Sequence, residues 1–341
     1  MLKNALFWEP YMKDSVRCFL CMRKCIIDKG QWGWCQTRYN QDGQLITVTY
    51  GKVALSSISP IETKHMYNFF PGSLWLSLGG LGCNFQCHGC QSWGLSHCDV
   101  KEVVNKIHDL SPEIVVKKAL RNGCKGIAFS HNEPTMWLEF VLDVFKLAKS
   151  EGLSTCLVTN GYLGSKAFDA IAEYTDGLCI DVKGSFMESY TRIAAVTDIN
   201  TIFSNASDAK RKHAMHVEVV TNIIPGYNSS EKEIKEIASW MFAELGKDTP
   251  LHLTRFFPYG EFKDVVPTPV GLLEKSRLLA MKEGLNYVYI GNIPGHLSAN
   301  TYCQKCKKII IKRKEYDEVE LNLKNGHCSN CKSLIFGRFS L

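Results

Sequence analysis

Along this chain, short apolar and β-branched runs alternate with longer stretches whose apolar positions recur every three or four residues. The strand-like runs are LWLSL (74–78), GIAFS (126–130), LSTCLVTN (153–160), GLCIDV (177–182), HVEVVTNII (216–224), LHLTRFF (251–257) and YVYIG (287–291). Helix signals fall between them. Ser111-Pro112 opens one helix with proline at its first position, and another runs from about Thr135 to Ser150 and stops at Gly152. Ser230 with Glu233 reads as a capping box for a helix ending at Gly246, and Thr268-Pro269 opens a last helix ending near Gly284. Strands and helices alternating in this way predict a parallel sheet with right-handed crossovers. Six or seven such units suit a barrel better than a flat sheet. The predicted fold class is therefore α/β, a partial (β/α)6-type TIM barrel over residues 74–297.

Two smaller segments flank it. Residues 1–73 contain QLITVTYGKVALSSI, which alternates and predicts strands, and then PIETKHMYNFFPG. In the latter, Lys64, His65 and Tyr67 read as linker residues or as a loop over a site, the linker being the simpler reading. Residues 298–341 carry the basic, β-branched run KKIIIKRKEYDEVEL between two pairs of cysteines.

Composition narrows the classes. The net charge of +6 is spread along 341 residues, with no dense basic run of the kind that binds nucleic acid. No segment reads as a signal peptide or a membrane span, so a cytoplasmic protein without membrane insertion is expected. In a reducing compartment 15 cysteines point to metal rather than to disulfides. Eleven of them fall in three groups, leaving Cys98, Cys124, Cys156 and Cys179 as core residues.

Cys18, Cys21, Cys25 and Cys35 suit tetrahedral zinc or an auxiliary iron–sulfur cluster, and free thiols are the plain alternative. Cys303-x2-Cys306 and Cys328-x2-Cys331 predict a zinc ribbon, with a rubredoxin-like iron site as the chemical rival. The third group is Cys83, Cys87 and Cys90, a C-x3-C-x2-C triad in a glycine-rich loop just after the first barrel strand. Three thiolates can hold three corners of a [4Fe–4S] cube and leave one iron open. Polar residues also gather after each later strand: His131-Asn132-Glu133, then Asn160, then Asp181 and Lys183, then Asn222, Arg255 and Asn292. The carboxyl ends of barrel strands carry active sites, so these tips are expected to converge on the triad. One such residue alone is as often a helix cap or a rim ion pair.

The motifs CFLCMRKC, PIETKH, FFPGS, LGCNFQCHGCQSW, NEPT, TNGY, DVKG, IIPGYN, IGNIPG and the terminal CxxC pairs together resemble the radical SAM superfamily. Within it the chain resembles the relatives of pyruvate formate-lyase activating enzymes, and more closely the AmmeMemoRadiSam-type proteins, over roughly residues 15–338. The resemblance implies a cluster on Cys83, Cys87 and Cys90, whose open iron S-adenosylmethionine (SAM) chelates. It implies reductive cleavage of SAM to a 5′-deoxyadenosyl radical that abstracts hydrogen from a small-molecule or lipid substrate. By position, Asn132 and Glu133 are expected at the SAM amino group, and Asn160, Asp181 and Lys183 at its carboxylate or ribose. Implied partners are a flavodoxin or ferredoxin electron donor and AMMECR-like and Memo-like proteins. An activase acting on a protein glycine is the second reading. A zinc-ribbon scaffold with a degenerate barrel is the third. Gly89 stands where the superfamily carries an aromatic residue beside adenine, so that platform is expected either from Phe85 or Trp93 or to be absent. His131, Arg255, His65 and Tyr259 are candidates for a substrate pocket.

Overall fold

The structure, a computed structural model, describes residues 2–314 and 318–339; residues 315–317 of the basic run lie outside the described residues. One eight-stranded sheet organises the fold. Its strands, in spatial as in chain order, are β1 (Leu55–Pro60), β2 (Leu74–Gly79), β3 (Gly126–Phe129), β4 (Ser154–Thr159), β5 (Gly177–Asp181), β6 (His216–Ile223), β7 (Leu251–Arg255) and β8 (Val288–Gly291). β1 runs antiparallel to β2, and every other neighbouring pair is parallel. The parallel part thus has seven strands, one more than a six-unit barrel, and an antiparallel strand contributed by the first segment. In the sheet order β1 and β8 are the two edges, so the barrel is partial.

Helices α1 (Pro112–Arg121), α2 (Leu138–Ser150), α3 (Ser165–Ala172), α4 (Met187–Ala194), α5 (Asn200–Arg211), α6 (Glu231–Trp240) and α7 (Val270–Lys282) fall between the parallel strands. Their starts follow the caps in the sequence: Ser111 Oγ accepts the Ile114 N–H, and Ser230 Oγ accepts the Glu233 N–H at 3.1 Å. Glu233 does not complete the capping box. Its buried carboxylate instead accepts the Ser185 N–H at 2.6 Å and so ties α6 to the loop after β5. The helices bury Val116, Phe140, Phe168, Ile202 and Ile237 with the sheet residues Leu76, Ile127, Leu178 and Val219 in one continuous core.

The opposite face of the sheet is not hollow. Trp75, Ala128, Cys156, Cys179 and Val220 point inward and meet Ile61, Met66, Phe69 and Phe70. The segment from 61 to 70, expected as a linker, is therefore a plug inside the partial barrel. Its polar residues find partners there: Glu218 on β6 accepts the Tyr67 and Asn68 N–H groups at 3.0 and 2.7 Å, and also bonds His216 and His252. The C-terminal strands Thr301–Tyr302, Ile309–Arg313 and Val319–Leu321 form a small sheet against this plug. Arg313 reaches inward to the Tyr67 carbonyl at 2.5 Å and to the Glu62 carboxylate at 3.5 Å. At the other side, buried Arg38 pairs with Glu139 of α2 at 2.7 Å and fastens the N-terminal strands to the barrel. Among the described residues no helix is long and apolar enough to cross a membrane.

Candidate active site

β2 ends at Gly79, and the next turns fold tightly back under the neighbouring strands. Gly82 has φ 74°, and a Cβ there would lie 2.4 Å from the Cys35 carbonyl oxygen, so only glycine fits. The Asn132 side chain holds this turn from both sides, accepting the Gly80 N–H and donating to the Gly82 carbonyl, each at 2.9 Å. The loop so fixed delivers Cys83, Cys87 and Cys90 to one cleft with an open volume of about 530 Å³. Ser96, His131, Asn132, Glu133, Thr159, Asn160, Asp181 and Lys183 line the same cleft. The tips of β2, β3, β4 and β5 thus converge as the sequence implied.

The three thiols suit a cluster better than a single ion. Among the described residues, the one group of three or more metal-ligating side chains with all its ligand atoms within 4.8 Å of one another is Cys303, Cys306, Cys328 and Cys331. The triad sulfurs share a cleft without forming such a close group, as suits thiolates on separate corners of a cube. Burial pushes the Cys83 thiol well up, and it pushes Cys87 up to about 12 although Lys183 pulls it back. Ligation would have to displace those protons, and it would supply the charge compensation that the thiols lack. Ser96 Oγ lies 3.2 Å from Cys90 Sγ and the Phe85 N–H 3.3 Å from Cys83 Sγ, donors of the kind that tune an iron–sulfur centre.

Glu133 is buried, and burial raises its carboxyl above the usual range against the pull of its hydrogen bonds. One oxygen takes Thr135 N–H, Thr135 hydroxyl and Thr159 hydroxyl at 3.1, 2.6 and 2.8 Å; the other takes only the Asn160 N–H, at 2.8 Å. That second oxygen keeps a lone pair for a ligand cation. Asn160 donates to Asn84 Oδ1 at 2.7 Å and accepts the Tyr162 N–H, so its amide shapes the wall. Lys183 forms an ion pair with Asp181. Burial opposes its charge, but Asp181 and Cys87 together hold its pKa raised, so the ammonium persists in the cleft. Asp181 Oδ1 is buried without a partner among the described residues and can accept one more donor.

The remaining tips lie elsewhere. Asn222, Arg255 and Asn292 do not line this cleft: Arg255 donates to the Thr268 carbonyl, and Asn292 donates to the Arg255 carbonyl and lines a separate pocket with Tyr67 and Arg313. Of the two rings expected beside adenine, Phe85 lines the cleft, whereas Trp93 is stacked on His97 at 3.7 Å. Gly89 has no room for a side chain, because a Cβ would meet Phe262 and Phe256 at 2.9 and 3.0 Å. The sequence places Thr159 at the third strand tip without a role, and it offers no site reading for Thr135 or Ser96. Their signal was only that they neighbour the strand tips and the triad.

Residues 78–241 match the radical SAM superfamily. An uncharacterized protein of Methanocaldococcus jannaschii, MJ0808, is 37% identical over 332 residues, 97% of this chain and 98% of that one. The pyruvate formate-lyase 1-activating enzyme of Escherichia coli is 26% identical over 198 residues, 57% of this chain and 75% of its own. The crystal structure of a radical SAM methyltransferase from Sphaerobacter thermophilus shares the fold, with a TM-score of 0.50 and 13% identity over 65% of this chain and 67% of that one. The protein belongs to the radical SAM superfamily and is an enzyme.

Proposed function

We propose that the chain reductively cleaves SAM on a [4Fe–4S] cluster held by Cys83, Cys87 and Cys90, and uses the resulting radical to take hydrogen from a small-molecule or lipid substrate. The observation that carries this reading is the convergence of three thiols with an acid, a lysine–aspartate pair and two asparagines in one cleft. When bound, the cluster and SAM supply one-electron cleavage of a sulfonium C–S bond. The protein's part is positioning. The free lone pair of Glu133 suits an ammonium, and Lys183 suits a carboxylate. Asp181 Oδ1 suits a ribose hydroxyl, and Phe85 offers an apolar wall for the base.

A flavodoxin or ferredoxin is the donor that such chemistry requires. The closely gathered sulfurs of Cys303, Cys306, Cys328 and Cys331 support structural zinc in the tail, making residues 298–341 a metal-folded module beside the barrel. AMMECR-like and Memo-like proteins remain the partners proposed from the motif resemblance.

The second reading is an activase for a protein glycine. It is favoured by the likeness to activating enzymes, which extends over 198 residues of this chain. Anaerobic incubation with SAM and dithionite tests the chemistry: 5′-deoxyadenosine is expected, and Cys87→Ala should abolish it. Full activity of that variant would overturn the assignment. A glycyl EPR doublet on mixing with a candidate protein substrate would select the second reading.

A further inference from the structure

Behind the triad loop lies a second, smaller cavity. Cys18, Cys21, Cys25 and Cys35 all line it, together with Leu20, Arg38 and Asn84. Cys18 and Cys21 are only 7% and 8% exposed, so these thiols face inward rather than into water. Four thiols round one cavity, Cys18 and Cys21 buried and Cys25 and Cys35 half-buried, are a ligand set, and the question is for what.

Two observations decide between one ion and a cluster. The C-terminal cysteines draw their four sulfurs within 4.8 Å, the geometry of ligands round a single tetrahedral ion. The four N-terminal sulfurs do not gather in this way, and in that they match the triad. Sulfurs drawn round one cavity without that close grouping suit the separate corners of a multi-iron core. The second observation is Arg38. It lines this cavity, is 1% exposed and spends its terminal nitrogens on Glu139 and the Leu6 carbonyl, yet its buried Nε has no partner among the described residues. A buried, orphaned N–H on a cationic group is suited to a sulfur of an anionic cluster.

We infer that Cys18, Cys21, Cys25 and Cys35 hold a second [4Fe–4S] cluster, with all four irons on protein thiolates. A cube so closed has no iron free for SAM, so it can only exchange electrons. Its position suits that task. Asn84, which lines the cavity, directly follows Cys83, and its side-chain oxygen lies 3.9 Å from Cys83 Sγ. The Cys35 carbonyl packs on Gly82. One residue's thickness thus separates the two sites. In each turnover the second cluster would be reduced by one electron from the flavodoxin or ferredoxin donor and reoxidised as the triad cluster is reduced. This relay rests on the proposed function; the metal assignment does not.

The test is an iron, labile-sulfide and zinc count on the full chain, reconstituted anaerobically. Two cubes give about eight sulfides per chain. Removing the triad by Cys83→Ala, Cys87→Ala and Cys90→Ala should leave about four, with a reduced-cluster EPR signal indifferent to SAM. Cys21→Ala with Cys25→Ala should leave about four that respond to SAM. If that double variant fails to fold, the intact chain and the triad variant still decide. A triad variant without labile sulfide, whether it binds zinc at this site or nothing, overturns the inference. Loss of all sulfide from the Cys21, Cys25 variant alone, while it stays folded, would instead count against the triad assignment.

Discussion

At the scale of single residues, Gly82 shows how much of the site depends on backbone. It takes a left-handed conformation and abuts the Cys35 carbonyl, joining the triad loop to the N-terminal cysteines. Gly82→Ala brings both strain and a clash, and should cost on the order of 2–3 kcal/mol in urea unfolding. Iron retention should fall with it; an unchanged melt and iron count would show that the loop yields. The glycines and cysteines of this loop were legible in the sequence because no other residue types serve. The asparagines were not. Asn132 and Asn160 sit in the cleft as expected, yet their amides are occupied by backbone groups and by Asn84. A sequence shows that an amide stands at a strand tip, but not whether it faces a ligand or its own loop. For Glu133 the free lone pair is what makes a ligand role available. Glu133→Gln should weaken SAM binding about tenfold by equilibrium dialysis, as expected for losing a charge-assisted bond.

At the scale of elements, the seven parallel strands announced themselves by their apolar runs, and the helices by their caps. The plug from 61 to 70 did not. Glu62, Lys64 and His65 give it the polar look of a surface linker, and only tertiary partners make it an inner element. Glu62 is fully buried, accepts the Gly72 N–H at 2.9 Å, and faces Arg313 from the C-terminal module. Burial pushes its carboxyl up to about 6 against the pull of that guanidinium. Arg313→Ala leaves this acid unpaired and should cost about 3–5 kcal/mol. Glu62→Gln combined with Arg313→Met should recover part of the loss. A thermal melt reads both, and equal instability of the single and double variants would deny the coupling.

At the scale of the whole molecule, the buried imidazoles set an acid limit on stability. Burial, with His252 and Lys64 nearby, holds His65 down at about 3 in the fold. Unfolded, it titrates near 6.5, so the unfolded chain binds the extra proton and stability falls as pH drops from about 6.5 toward 3. Burial would raise Glu218, but bonds from His216 and His252 hold it at about 2. Its contribution is complete above about 4.5 and is lost as pH falls toward 2, the same direction. Urea midpoints should therefore decline between pH 7 and pH 4, with a slope on the order of 1 kcal/mol per pH unit. A flat profile would mean that these groups relax into water.

The filled interior has a kinetic corollary. With the plug packed on the inner face of the sheet and the tail module against it, the cleft lies at the strand-tip end. On the proposed function, a cleft entered from that end would load as a queue: the nucleotide would arrive before the molecule that its radical attacks, and whatever entered first would be last to leave.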